Sequence, residues 1–271
     1  MRANRINIVW YFVLAIVFIN IFFYVVKPGG EMVLTIVSDL LPVICSLITI
    51  VALWGTFKAF NVHDYTRTAW FLIFVGMIMN FLGESSYSYQ EIILKVDLAN
   101  IAYSISDLFW FSSYLFCITG LSILIRGYFK SDFPIGNQLH LTLVMLLLVL
   151  LIAILIVVLL QPIIKDVETP MLDKVVYLLY PIFDMIQVII ACALLFIVRK
   201  FKGGLVKAPW RLIAAGFLFM AVSDIMFSYF SWNDAYGSGN FIDLGWNAGY
   251  LLIAMAGLYQ KNLVKSLDGG V

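Results

Sequence analysis

Polar residues come in short clusters along this chain, and between them run eight stretches of nearly unbroken apolar sequence. The stretches are Ile8–Val26, Met32–Phe57, Ala69–Tyr89, Ile101–Ile125, Leu139–Leu160, Lys174–Val198, Trp210–Phe230 and Ile242–Tyr259. Each is close to the roughly 20 residues that an α-helix needs to cross a bilayer. Membrane strands would alternate in runs of about ten residues between turns, which is not the pattern here. Helices also pair their own backbone groups inside one segment, as lipid demands. The pattern predicts an all-α integral membrane protein of about eight transmembrane helices. Pro42 and Pro181 are expected to kink or start their helices.

The third and seventh stretches resemble each other. Trp70, Gly76 and Glu84 recur at the same spacing as Trp210, Gly216 and Asp224, and Ser88-Tyr89 recurs as Ser228-Tyr229. In the fourth and eighth, Asp107, Trp110 and Tyr114 match Asp243, Trp246 and Tyr250. A Leu-Leu-Pro similarity links the second stretch to the sixth. Matched Trp, Gly, acid and Tyr at matched spacing predict two tandem four-helix repeats, residues 1–135 and 136–271, forming one membrane domain. An even number of spans per repeat makes the two parallel, related by an axis along the membrane normal.

Charge orients the chain. With eight spans, both termini share a side with Arg2, Arg5, Lys58, Arg67, Arg126, Lys130, Arg199, Lys200, Lys202, Lys207, Arg211, Lys261 and Lys265. The other side holds Lys27, Lys95, Lys165 and Lys174, and it leans acidic through Glu31, Glu91, Asp97, Asp166, Glu168, Asp173 and Asp234. Thirteen basic residues against four place both termini in the cytoplasm by the positive-inside rule, with the chain multi-pass in the plasma membrane.

Composition agrees with a lipid environment. Hydrophobic residues make up 63% of the chain and charged residues 12%, against roughly 25% charged in soluble domains. The net charge of +1 argues against a nucleic-acid partner. Cys45, Cys117 and Cys192 sit inside apolar runs and read as small buried hydrophobes. The first stretch is too long for the apolar part of a cleavable signal and reads as a span.

Acids inside these spans demand an explanation, because a charge at the bilayer centre costs about 2.5–3.5 kcal/mol on insertion scales. Asp39, Glu84, Asp107, Asp184, Asp224 and Asp243 all fall in the outer halves of their helices, with no comparable set of Lys or Arg. Asp39, Asp107, Asp184 and Asp243 fall where first helical turns would place N-caps, near the positive end of the dipole. Glu84 and Asp224 close their helices at the other pole, where the dipole disfavours an anion, so they point to a hydrated cavity or a bond across helices. Asp, Trp and Tyr at i, i+3 and i+7 share one helix face. Glu84, Asp107, Trp110, Tyr114, Asp184, Asp224, Asp243, Trp246 and Tyr250 are therefore the expected lining of an outward-facing pocket for a small-molecule or cationic ligand. The competing reading is an aromatic belt at the membrane interface. Gly76, Gly216, Gly249 and Gly257 are expected to let helices approach closely.

Catalytic sets are absent. His63 and His140 lie at loop positions, and no Cys/His/carboxylate cluster has zinc-ligand spacing. Phosphate- and dinucleotide-binding glycine motifs are missing, as is the Gly-x-Ser-x-Gly elbow. No lysine lies mid-span to form a Schiff base. No cofactor and no metal are implied.

Arg67 with Trp70, Glu84, Ser106-Asp107-Trp110 and Tyr180-Pro181-Asp184, with Asp224 and Asp243-Leu244-Gly245-Trp246 repeating the theme, resemble one family. It is the multi-helix membrane input regions that precede diguanylate cyclase (GGDEF) domains in bacterial signalling proteins. The resemblance covers residues 32 to 260 and implies a sensory role. A dozen residues follow Tyr259, so output is expected to pass to a separate signalling partner or through a homo-oligomer. The alternatives are a small-molecule, cation or proton-linked transporter with its site between the repeats, and a membrane enzyme or a subunit of a larger complex.

Overall fold

The computed structural model describes residues 2–96, 98, 101, 103–130, 137–168, 170–199, 204–233, 235–237 and 239–268. Asp97, Lys200, Lys202, Asp234 and the 135/136 repeat boundary lie outside them. The described chain is helical: α1 (Arg2–Val26), α2 (Gly30–Phe57), α3 (Tyr65–Ser88), α4 (Ile105–Lys130), α5 (Gln138–Lys165), α6 (Met171–Val198), α7 (Gly204–Trp232) and α8 (Asp243–Asp268). A π-helical turn, Tyr89–Ile93, continues α3.

Local chemistry sets several of these ends. The α1–α2 connection is short because Lys27 and Gly29 take left-handed conformations, at φ 48° and 84°. Asp64 caps α3 through the Thr66 N–H, and Asn137 caps α5 through Leu139 and His140. Pro42 and Pro181 both lie inside their helices rather than at a start. Most helices outrun their apolar stretches, because polar terminal turns such as those ending at Lys130 and Asp268 stay helical.

Five helices are long and apolar enough to cross a membrane: Gly30–Phe57, Tyr65–Ile93, Ile105–Lys130, Met171–Val198 and Val206–Trp232. At 1.5 Å rise per residue, helices of 26 to 29 residues exceed the roughly 30 Å hydrocarbon core. Shorter apolar stretches add Trp10–Val26 and Gln138–Ile154. On α5, Leu143, Leu146, Leu147, Leu150 and Leu151 are exposed. A band of exposed leucines on a stretch without charge, Leu141–Leu160, is the surface a lipid solvent calls for. The chain is a helical membrane protein.

Six helices close a ring in the order α2, α3, α4, α6, α7, α8 and back to α2. Within each set of four, the second helix packs on the third and the third on the fourth; between sets, α2 meets α8 and α4 meets α6. α1 lies outside against α8 and α2, and α5 outside against α6 and α7. Polar pairs hold α1: Trp10 donates to the Tyr259 hydroxyl at 3.1 Å, and Asn247 to the Asn20 amide oxygen at 2.7 Å.

One end of the ring is filled by a dry hydrophobic layer that includes Leu53, Trp70, Ile73, Met77, Trp210, Ile213 and Ile253, all nearly fully buried. Trp70 and Trp210 meet there with ring centroids 6.2 Å apart. Glycines let the neighbouring helices close. A Cβ on Gly216 would lie 3.0 Å from the Gly249 carbonyl oxygen, and one on Gly76 would overlap Cys117 Sγ.

Gly216→Leu should overpack the α7–α8 seam, where a Cβ already meets Ile253 Cγ1 at 2.7 Å. The expected loss is about 1–3 kcal/mol. Gly237→Ala, with nothing within 4 Å of its Cβ, should leave stability unchanged. Thermal unfolding in detergent, followed by tryptophan fluorescence, distinguishes the two, and equal midpoints would contradict the packing role.

Candidate functional site

A cavity of about 120 Å³ lies among the six ring helices, on the side of the α3–α4 and α7–α8 connections. All nine residues singled out from the sequence line it: Glu84 on α3, Asp107, Trp110 and Tyr114 on α4, Asp184 on α6, Asp224 on α7, and Asp243, Trp246 and Tyr250 on α8. Asp39 on α2 joins them, and among the described residues no lysine, arginine or histidine does. Glu84, Asp107, Trp110, Asp224 and Trp246 are half-buried, whereas Tyr114, Asp184, Asp243 and Tyr250 are buried.

Hydrogen bonds run crosswise between the two sets of four helices. Tyr250 of α8 donates to Glu84 Oε1 of α3 at 2.6 Å. Tyr114 of α4 contacts Asp224 Oδ2 of α7 at 3.0 Å. Each acid also takes an indole N–H from its own set: Trp110 donates to Glu84, and Trp246 donates to Asp224 Oδ1 at 2.7 Å. Thr49 ties α2 to α8 by donating to the Tyr250 carbonyl at 2.8 Å, directly beneath the site.

The arrangement is unequal on its two sides. Near Glu84 the neighbouring side chain from α2 is Cys45. Near Asp224 the α6 counterpart is a second acid, Asp184, and the two carboxyls lie within hydrogen-bonding reach of each other. Tyr114 approaches Asp184 Oδ1 at 2.9 Å as well as Asp224. A phenol has one proton, so it can serve only one of the two acids. Asp184 Oδ2 is buried and receives no donor from the described protein.

Asp107 and Asp243 do sit at helix starts. Asp107 accepts from the Ser104 N–H and from the Tyr180 hydroxyl. Asp243 accepts from the Gly239 N–H at 3.0 Å, and from Tyr24 and Tyr236. Burial beside Asp243 pushes the Tyr236 phenol well above its ordinary value, so it stays a donor. The first-turn expectation fails for Asp39 and Asp184. Their helices begin at Gly30 and Met171, more than two turns earlier and only two and three residues before the apolar stretches, which themselves carry both acids past the first turn.

Tyr24, Tyr180 and Tyr236 were not among the expected lining, yet each satisfies an acid. Tyr180 lies one turn before Asp184, the i, i+4 spacing that shares a helix face, and this could have marked it. Tyr24 and Tyr236 carry no such signal, since tertiary contact alone brings them to Asp243. Aromatic rings continue the wall: Tyr114 stacks on Phe183 at 5.2 Å, and Phe227 meets Trp246 at 5.8 Å. Among the described residues, no group of three or more His, Cys, Asp or Glu is arranged to hold a metal ion.

Chemically, this is an acidic, aromatic cavity whose carboxyls are held by neutral donors. It suits a cationic guest. A double-mutant cycle of Tyr250→Phe with Glu84→Gln should give a coupling energy of about 1.5–3 kcal/mol, the range for a hydrogen bond to a charged group. Tyr250→Phe with Asp107→Asn, which share no bond, should be additive within about 0.5 kcal/mol. Unfolding free energies in detergent check both, and additivity in the first pair would remove the crosswise bond. No family model, curated protein or solved structure matches the chain.

Proposed function

We propose that the protein is a sensory or ligand-binding module of the plasma membrane. On this reading all eight helices span the bilayer as two parallel repeats, residues 1–135 and 136–271. Both termini are cytoplasmic and the cavity opens outward. The observation that carries the function is that acids from both repeats share one cavity, bonded crosswise by tyrosines of the opposite repeat. The pairing of helices around the ring and the meeting of Trp70 with Trp210 support a two-fold relation. The excess of basic residues on the side of the termini supports the orientation.

The dry layer between the cavity and the cytoplasmic side favours binding over passage. Occupancy would be reported to a separate partner or a second copy through the helix ends, in keeping with the resemblance to cyclase-associated input regions. Transport is the second reading, favoured by the position of the cavity between the repeats, where parallel-repeat carriers place substrates.

A thermal-shift screen of cations, amines and lipids on the detergent-solubilised protein should yield compounds that raise the midpoint of wild type. The Glu84→Gln/Asp224→Asn double variant should not respond to them. Equal shifts in both proteins would remove the pocket assignment. Reconstituted vesicles should bind such a compound at a saturable stoichiometry without accumulating it; accumulation in the lumen would establish transport instead.

Orientation has its own measurement. In intact cells a membrane-impermeant maleimide should label Val167→Cys and spare Val62→Cys, both at exposed loop positions. The reverse labelling would invert the topology and turn the cavity toward the cytoplasm.

A further inference from the structure

One turn deeper than the acids, the cavity wall holds two side-chain amides outside the expected lining. Asn80 lies four residues before Glu84 on α3, and Gln187 three residues after Asp184 on α6. They are 8% and 5% exposed, and both line the cavity. Asn80 Nδ2 donates to Ser113 Oγ at 2.6 Å, and no described residue donates to its Oδ1. The Gln187 amide has no hydrogen bond to any described residue at either end. In contrast to Asp184 Oδ2, neither Asn80 Oδ1 nor the Gln187 amide is sealed inside the protein. The surface they keep opens on the cavity. Buried amides are paired as a rule, and one left unpaired is costly.

The polar floor is confined to one side. At the spacing that matches Glu84 with Asp224, Asn80 corresponds to Met220. At the spacing that matches Asp107 with Asp243, Ser113 corresponds to Gly249. With Pro42 aligned on Pro181, Gln187 corresponds to Ile48. Every polar group of the α3–α4–α6 side thus has a counterpart with an apolar side chain or none. There Met220 fills the gap, since a Cβ on Gly249 would lie 2.4 Å from Met220 Cγ. Packing alone does not call for amides at this depth, because the matching positions pack without them.

The free groups define what would meet them. Asn80 Oδ1 only accepts, whereas the Gln187 amide both accepts and donates. A hydroxyl or a primary carboxamide gives a proton to Asn80 Oδ1 and takes one from Gln187 Nε2. An ether cannot do the first, and an anion is disfavoured by the acids one turn above. Trp110, Tyr114 and Phe217 border the same space and suit an apolar or aromatic body behind such a group.

We propose that Asn80 and Gln187 recognise an uncharged donor–acceptor group, a hydroxyl or a primary carboxamide, at the inner end of the guest. This rests on the ligand-binding reading above and adds the residues that fix the guest's depth and direction.

The test uses the full chain in detergent, with 2-phenylethanol and phenylacetamide as neutral probes. The methyl ether of 2-phenylethanol is the donor-free control. Isothermal titration and thermal unfolding are compared between wild type and variants at one detergent concentration, so that uptake by the micelle cancels. The alcohol or the carboxamide should bind wild type saturably and raise its midpoint. The ether should bind about tenfold more weakly, as the loss of a hydrogen bond predicts. Gln187→Met keeps the side-chain length and should weaken both neutral probes about tenfold. It removes an unpaired amide, so its ligand-free midpoint should equal or exceed that of wild type. Asn80→Leu should weaken the probes in the same way, and a folding failure there leaves Gln187→Met to decide.

Ether binding as tight as alcohol binding overturns the donor–acceptor requirement. Equal probe affinity in wild type and Gln187→Met overturns the site. A lower ligand-free midpoint in Gln187→Met also overturns it, because the amide then serves the fold. If neither neutral probe binds wild type, the floor site falls, and the receptor reading stands where other compounds depend on Glu84 and Asp224. If no compound depends on those acids either, both fall.

Discussion

A carboxylate taken out of water must be given hydrogen-bond donors, and the way this protein meets that demand governs its architecture. Desolvation costs several kcal/mol per ion even after relaxation. The cavity acids are matched by phenols, indoles and backbone N–H groups, with no lysine or arginine among the described lining. Neutral donors satisfy the oxygens they reach and, unlike lysine or arginine, bring no charge of their own.

Because the donors come from the opposite set of helices, the bonds that solvate the acids also close the ring. Tyr250 reaches from α8 to α3, and Tyr114 from α4 to α7. Beneath them the Gly76–Cys117 and Gly216–Ile253 contacts recur at equivalent depths, where a larger residue would hold the seams open. Close helix packing and acid solvation are two consequences of the same pairing.

Much of this could be read from residue order. Apolar runs marked the helices, since nothing else in a chain is that long and that free of charge. The shared face of Asp107, Trp110 and Tyr114, and of their counterparts on α8, followed from helical periodicity, and these residues do share one cavity. The crosswise partners were not readable, because Tyr114 and Asp224 are 110 positions apart and spacing says nothing about which helices meet. Asp107 and Asp243 do lie in first turns, but only Asp107 bonds the N–H at its helix start, while Asp243 accepts from the loop N–H of Gly239. Asp39 and Asp184 lie well inside their helices, as the apolar stretches beginning at Met32 and Lys174 already implied. Tyr24 was hidden for a related reason: α1 is apolar on most of its length, and only its docking on α8 gives that hydroxyl a partner.

The two halves of the ring depart from symmetry at the cavity. With Pro42 aligned on Pro181, Cys45 on α2 corresponds to Asp184 on α6; the α6–α7 side pairs two acids with Tyr114 between them, while on the α2–α3 side Glu84 takes Tyr250 and Trp110 and Asp39 joins the wall. Tyr114 belongs to α4 while both acids it touches belong to α6 and α7. The α4–α6 seam it spans is the least extensive in the ring. Below that seam α4 continues past its apolar stretch to Lys130, so Tyr114 and the basic end of α4 belong to one continuous helix.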